Sequence, residues 1–139
     1  MFVVVGSGPD GRSAVVEVRE VTGADHPSRT LWTTERLPPE LPAARRRADE
    51  PVQEARVSAT GTRWTLVELV TGRPPHLHRT DTLDYDIVLS GEVTLVLEDG
   101  EILLRPGDAV MIPGVVHAWR PGPEGCLLSV VLLGLPPVA

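Results

Sequence analysis

Leu83-Asp84-Tyr85-Asp86-Ile87-Val88-Leu89-Ser90-Gly91-Glu92-Val93-Thr94-Leu95-Val96-Leu97-Glu98-Asp99-Gly100-Glu101-Ile102-Leu103-Leu104 is the stretch on which the fold turns. Its aliphatic runs are short and each stops at a turn signal, which suits strands and not helices. Asp99-Gly100, set between Leu95-Val96-Leu97 and Ile102-Leu103-Leu104, closes a tight hairpin because both turn residues tolerate positive φ. Ser90-Gly91 marks a second turn, between expected strands Leu83–Leu89 and Glu92–Leu97. In the first of these a side-chain period of two puts Asp84 and Asp86 on one face and Tyr85, Ile87 and Leu89 on the other.

The same punctuation runs outward in both directions. Strands are expected at Phe2–Val5, Ser13–Val21, Val52–Ala59, Arg63–Val70, Glu101–Leu104, Ala109–Ile112, His117–Arg120 and Cys126–Leu133. Turns are expected at Gly8-Pro9-Asp10-Gly11, Thr60-Gly61, Gly72-Arg73-Pro74-Pro75, Pro106-Gly107, Pro113-Gly114 and Pro121-Gly122-Pro123. With 14 prolines and 13 glycines in 139 residues, a helical protein is excluded and an all-β sandwich or barrel is predicted. From Thr22 to Pro51 the alternation dissolves among five prolines, and an extended arm with one helical turn around Ala43–Ala48 is expected. The chain divides into residues 1–60, N-terminal strands and an arm packing on the barrel or a partner subunit, and residues 61–139, the barrel.

Composition narrows the function. The net charge is −6, which makes a nucleic-acid partner a poor match. All 13 basic residues are arginine, so Schiff-base chemistry and a P-loop lysine are excluded. Arg45-Arg46-Arg47 is read as a solvated face. Cys126 is the single cysteine; it rules out an internal disulfide and opens an apolar strand, where it packs. No stretch approaches the roughly 20 apolar residues of a membrane span, and a cytoplasmic protein is expected. Gly6-Ser7-Gly8-Pro9-Asp10-Gly11 has the spacing of a dinucleotide loop, but Ala14–Val18 alternates as a strand where a helix N-terminus is required. It is a hairpin, and no nucleotide cofactor is expected. No Gly-x-Ser-x-Gly elbow occurs.

The chemistry concentrates in two places. On a strand His76 and His78 point to one side; Asp84 and Asp86 share a face nearby, and His117 follows later with Trp119 on its side. Two imidazoles, a carboxylate and a distant third imidazole can hold a divalent metal. The same residues also suit a metal-free pocket or a structural cluster. Side by side, Asp84 and Asp86 repel, so one pKa rises unless a cation neutralises them. A raised carboxyl beside a histidine is a general acid–base pair. Asp86 facing Arg63 or Arg120 would instead be structural.

These residues resemble the cupins. His76-Leu77-His78, with Asp84 seven residues before Gly91, is similar to the first cupin motif. Leu104-Arg105-Pro106-Gly107-Asp108 with Ile112-Pro113-Gly114 and His117 is similar to the second. Asp replaces the family's glutamate, five residues separate it from His78, and Pro121 stands where the family has asparagine. His78-Arg79-Thr80-Asp81-Thr82-Leu83-Asp84-Tyr85 and His117-Ala118-Trp119-Arg120 resemble a subgroup that accompanies polyketide and other secondary-metabolite pathways. The resemblance implies a double-stranded β-helix, or jelly-roll barrel, and a metal held by His76, His78, Asp84 and His117, with zinc, iron, manganese and nickel not distinguished. It also implies a homodimer, with the arm as a route to the partner.

The expected reaction is non-redox lyase-type chemistry on a small polyketide-like substrate: dehydration, decarboxylation, cyclisation or tautomerisation. Asp86, His78 and Asp84 are the candidate catalytic residues. Trp64, Arg79, Thr80, Trp119 and Val88 are the candidate substrate contacts, with Leu66 and Val110 as further wall. Two alternatives stay open: an iron-dependent oxygenase at the same site, and a non-catalytic small-molecule-binding protein.

Overall fold

In a computed structural model, described for residues 1–21, 28–36 and 46–138, seven strands make one mixed sheet. They are β1 (Phe2–Ser7), β2 (Ser13–Arg19), β3 (Thr62–Leu69), β4 (Thr82–Leu97), β5 (Gly100–Leu104), β6 (Ala109–Pro113) and β7 (His117–Gly134). The order is β2-β1-β6-β4-β7-β3, with β5 also paired to β4.

Two long strands give the sheet its shape. The first half of β4 pairs with β6 and the end of β7, while its second half pairs with β5 and the start of β7. Side chains from both halves, Val88 with Val93, Leu95 and Leu97, enter one core together with Val3, Val5, Val110, Ile112, Leu128, Val130 and Leu132. The sheet therefore folds over on itself as a jelly roll, its inner faces meeting in an apolar interior. β1 runs parallel to β6, Phe2 opposite Ala109, and sends Val3 and Val5 inward.

Three expected boundaries are corrected. Ser90-Gly91 does not end a strand; it is a pair of register shifts within β4, where Gly91 sits at φ 72°. Pro121-Gly122-Pro123 likewise lies inside β7, with Pro121 opposite Val93. Local turn chemistry marks a bend, and the partner strand decides whether pairing continues through it. Val52–Ala59 is not a strand: only Val52 forms a bridge, to Arg79, while Ala55 and Val57 lean on the core. The glycine-rich loop is the expected hairpin turn between β1 and β2, closed by the Gly11 amide donating to the Gly8 carbonyl at 2.9 Å. Asp99-Gly100 closes β4 onto β5, with Leu97 opposite Gly100.

The outer face carries a second, smaller cluster. Phe2, Val4, Leu83, Met111 and Leu133 pack there, joined by Leu31 and Tyr85. Residues 28–36 of the expected arm lie back over this face of their own sheet. Arg19 donates to the Leu31 carbonyl at 2.8 Å, and the Thr34 and Tyr85 hydroxyls hydrogen-bond. The expected helical turn at Ala43–Ala48 falls largely outside the described residues. Further along, Arg79 is buried against Glu50 at 3.0 Å and Asp81 at 2.5 Å, clamping residues 46–53 to the barrel. No helix among the described residues is long and apolar enough to cross a membrane.

Candidate active site

Period-two alternation sends every second side chain from Thr80 to Val88 toward the interior. Asp84 lies opposite Ile112 and Leu132, and Asp86 opposite Val110 and Val130, all four of them core residues. Both carboxyls are almost fully buried. The inward row begins with two hydroxyls. Thr80 and Thr82 hydrogen-bond at 2.6 Å, and Thr82 donates onward to Asp84 Oδ1 at 2.5 Å. Asp86 Oδ1 is buried without any partner.

An ionised carboxylate in such a place would cost several kcal/mol, so the group holds its proton instead. Burial pushes Asp84 up to about 7, against a partial lowering by the Thr82 hydrogen bond. Asp86 is also raised well above the usual carboxylate range, first by burial and then by the neighbouring Asp84. Neither Arg63 nor Arg120 relieves it: both are exposed, and Arg120 pairs with Glu101 at 2.9 Å.

The histidines form a separate row on the opposite layer. His117, at the start of β7, lies opposite Leu97 and shares its inward direction. His78 bridges to it, the two exchanging backbone hydrogen bonds at 3.0 and 2.8 Å. Their rings are 5.0 Å apart, with His76 stacked 5.9 Å beyond His78 and Trp119 edge-on 6.2 Å beyond His117. Nδ1 of His78 bonds the His76 carbonyl and Nδ1 of His117 the Val115 carbonyl. A carbonyl only accepts, so each Nδ1 carries a hydrogen, and in a neutral ring the lone pair then sits on Nε2. Burial lowers the His117 pKa to about 4, leaving it a neutral acceptor.

The expected four-ligand set is not gathered. Among the described residues no group of three or more His, Cys, Asp or Glu converges to hold a metal ion. The physical reason is local. His76 is exposed on a segment outside the strands, and Asp84 is tied into the threonine row. As arranged, the residues do not fit a bound metal.

The expected substrate contacts scatter. Val88 is packed in the core, and Trp119 is half-buried against it. Thr80 sits in the inward row, while Arg79 is consumed by its ion pairs instead of lying at a rim. Trp64 is not an interior wall residue: it and Leu66 project from the outer face, 78% and 64% exposed. In β3 it is Val67 and Leu69 that turn inward. Thr82 was missed, although extending the alternation backward from Asp84 places it on the inner face.

Known proteins resemble the chain over this region. A family model described as a cupin domain matches residues 65–131. The phomopsin biosynthesis cluster protein C' of Diaporthe leptostromiformis is 39% identical over 61 residues, covering 43% of this chain and 32% of that protein. The cupin-domain-containing oxidoreductase fogC of Aspergillus ruber is 36% identical over 55 residues, or 39% of this chain and 27% of its own length. The aligned stretches thus span about a third of these curated relatives. A solved cupin-2 domain containing protein from Shewanella frigidimarina is 28% identical, with TM-score 0.43 over 50% of this chain and 68% of that one. Residues 65–131 thus match a cupin domain, and the chain is similar to members of secondary-metabolite biosynthesis clusters.

Proposed function

We propose that this cupin is an acid–base enzyme of secondary metabolism, catalysing dehydration, decarboxylation, cyclisation or tautomerisation of a small oxygenated, polyketide-like substrate. One observation carries the reading: a carboxyl, Asp86, buried with an unpartnered oxygen beside a second buried carboxyl. Such groups are expensive to keep, and perturbed carboxyls of this kind gather at sites of proton transfer. Protonated Asp86 supplies a hydrogen to a substrate oxygen, while the neutral imidazole of His117 accepts one at Nε2 from carbon. Asp86 then becomes a carboxylate as the imidazole becomes a cation, so the interior gains no net charge. Asp84, oriented by Thr82, relays the imidazolium's proton back to Asp86 after the product leaves, which resets both groups. The polyketide-like substrate class rests on the family resemblance, and the relatives' names support only a place in secondary-metabolite biosynthesis.

The relatives named oxidoreductases favour a second reading, in which His78 and His117 hold iron and the reaction consumes oxygen. That reading requires Asp84 to leave its Thr82 hydrogen bond. Uptake of oxygen by iron-loaded protein with substrate would select it.

A small β-hydroxy ketone, deuterated at the α-carbon, is a minimal substrate mimic. The protein is expected to accelerate both deuterium wash-out and dehydration without added metal. Asp86→Asn and His117→Gln should each slow these by about 10²–10⁴-fold, the usual contribution of a positioned acid or base. Wash-out at the buffer rate with the unaltered protein would sink the proposal.

A further inference from the structure

The chain has five aromatic residues besides histidine: three Trp, one Tyr and one Phe. Four of them, Phe2, Trp32, Trp64 and Tyr85, line one cavity of about 330 Å³ on the outer face of the sheet. Only Trp119 belongs to the interior. The main apolar interior is otherwise built from aliphatic side chains, so the aromatic residues gather on the outer face, where Phe2 and Tyr85 also pack in the smaller cluster. The volume lies in the range of pockets that take a small organic molecule.

The cavity is built rather than left over. β3, β7 and β4 form its floor, with Trp64 opposite Val131 and Tyr85 opposite the same residue. Thr30, Leu31 and Trp32 of the arm stand over it. The roof is tied down at both ends of this segment: Arg19 bonds the Leu31 carbonyl at 2.8 Å, and Thr34 bonds the Tyr85 hydroxyl. Trp64 is 78% exposed yet does not swing freely, since its Nε1 donates to Ser129 Oγ at 2.8 Å. An indole held edgewise by a hydrogen bond, with its face open, is a pre-formed stacking wall. The Ser129 hydroxyl hydrogen is still available to a ligand oxygen.

We infer that this outer-face cavity is a binding site for a neutral, planar aromatic compound carrying a hydrogen-bond acceptor. Flatness follows from the aromatic walls. Neutrality follows from a lining with no arginine to pair an anion and one bordering carboxyl, Asp86, that burial keeps protonated and so offers a cation no charge. Asp86 borders the site on β4, while its carboxyl is buried. The inference does not rest on the proposed reaction.

The probe is prodan, a neutral naphthalene ketone whose emission shifts to the blue in apolar surroundings, titrated into the full chain. Saturable one-to-one binding is expected, with a blue shift and excitation transfer from tryptophan. Trp64→Ala and Trp32→Ala should each weaken it at least tenfold, and Ser129→Phe, which fills the floor, should abolish it. Asp84→Asn, in the interior, should leave it unchanged. Sedimentation of each variant checks its fold and oligomeric state. Absent binding, binding insensitive to the two tryptophans, or binding lost in Asp84→Asn overturns the site. So does a dimer that excludes prodan and is dissociated by Trp64→Ala, because the face would then belong to a second copy of the chain.

Discussion

Gly91→Ala will destabilise the protein by about 3–5 kcal/mol, combining the cost of a positive φ with that of overpacking. Gly91 sits at φ 72°, in the left-handed region, at the irregularity where β4 bends between the two layers. A Cβ there would lie 2.1 Å from the Gly125 carbonyl oxygen and 3.0 Å from Cys126 Cα. Both are backbone of β7 and cannot swing aside. Gly100→Ala is the control, with φ 103° and nothing within 4 Å of its added carbon. It carries the conformational cost alone, about 1–2 kcal/mol. Urea unfolding of the three proteins checks the pair. Marginal stability of about 5–15 kcal/mol means Gly91→Ala removes a large share of the whole. Equal losses in the two variants would show that the bend relaxes around the new methyl.

The second large effect is a pH dependence of stability that two opposing groups partly hide. Asp84 has a folded pKa of about 7 against an ordinary 3.8, so between these values the unfolded chain releases its proton first and stability falls as pH rises. Asp86 acts in the same direction, from the ordinary carboxylate range upward. His117 does the reverse. With a folded pKa of about 4 against 6.5, it resists protonation in the native state, and stability falls as pH drops through that window. Each pKa unit is about 1.4 kcal/mol, so Asp84 alone carries on the order of 4 kcal/mol. In the unaltered protein stability should decline from pH 4 to 8, the carboxyls outweighing the imidazole. Asp84→Asn should flatten that decline, and His117→Gln should steepen it between pH 4 and 6.5. Urea midpoints taken across this range measure all three slopes. A wild-type stability that rises steadily from pH 4 to 8 would show the carboxyls to be ionised in the native state.

Much of this was readable from residue spacing. Alternation alone put Asp84 and Asp86 on one face, and their mutual repulsion was evident before any coordinates. The Asp99-Gly100 hairpin and the reading of the glycine loop as a turn followed from backbone preferences that act locally. What stayed hidden depends on partners distant in sequence. Ser90-Gly91 reads as a turn, yet β7 keeps pairing across it. Trp64 was misplaced because β3 is mixed on both faces: Trp64 and Leu66 alternate with Val67 and Leu69, and nothing local says which pair is inside. The histidines illustrate the other limit. Their spacing suits ligands, but His76 lies beyond the strand and Asp84 is engaged by Thr82, a contact only the fold reveals.

Carbon-13 NMR of protein labelled at aspartate side chains, titrated between pH 3 and 9, tests the buried acid most directly. The prediction is two carboxyl carbons that stay protonated well above the others. One should titrate near 7 and vanish in Asp84→Asn. The other, also raised above the ordinary carboxylate range, should vanish in Asp86→Asn. Aspartates that all titrate near their ordinary value of about 4 would mean two ionised carboxylates inside the barrel. The acid–base account would then be wrong.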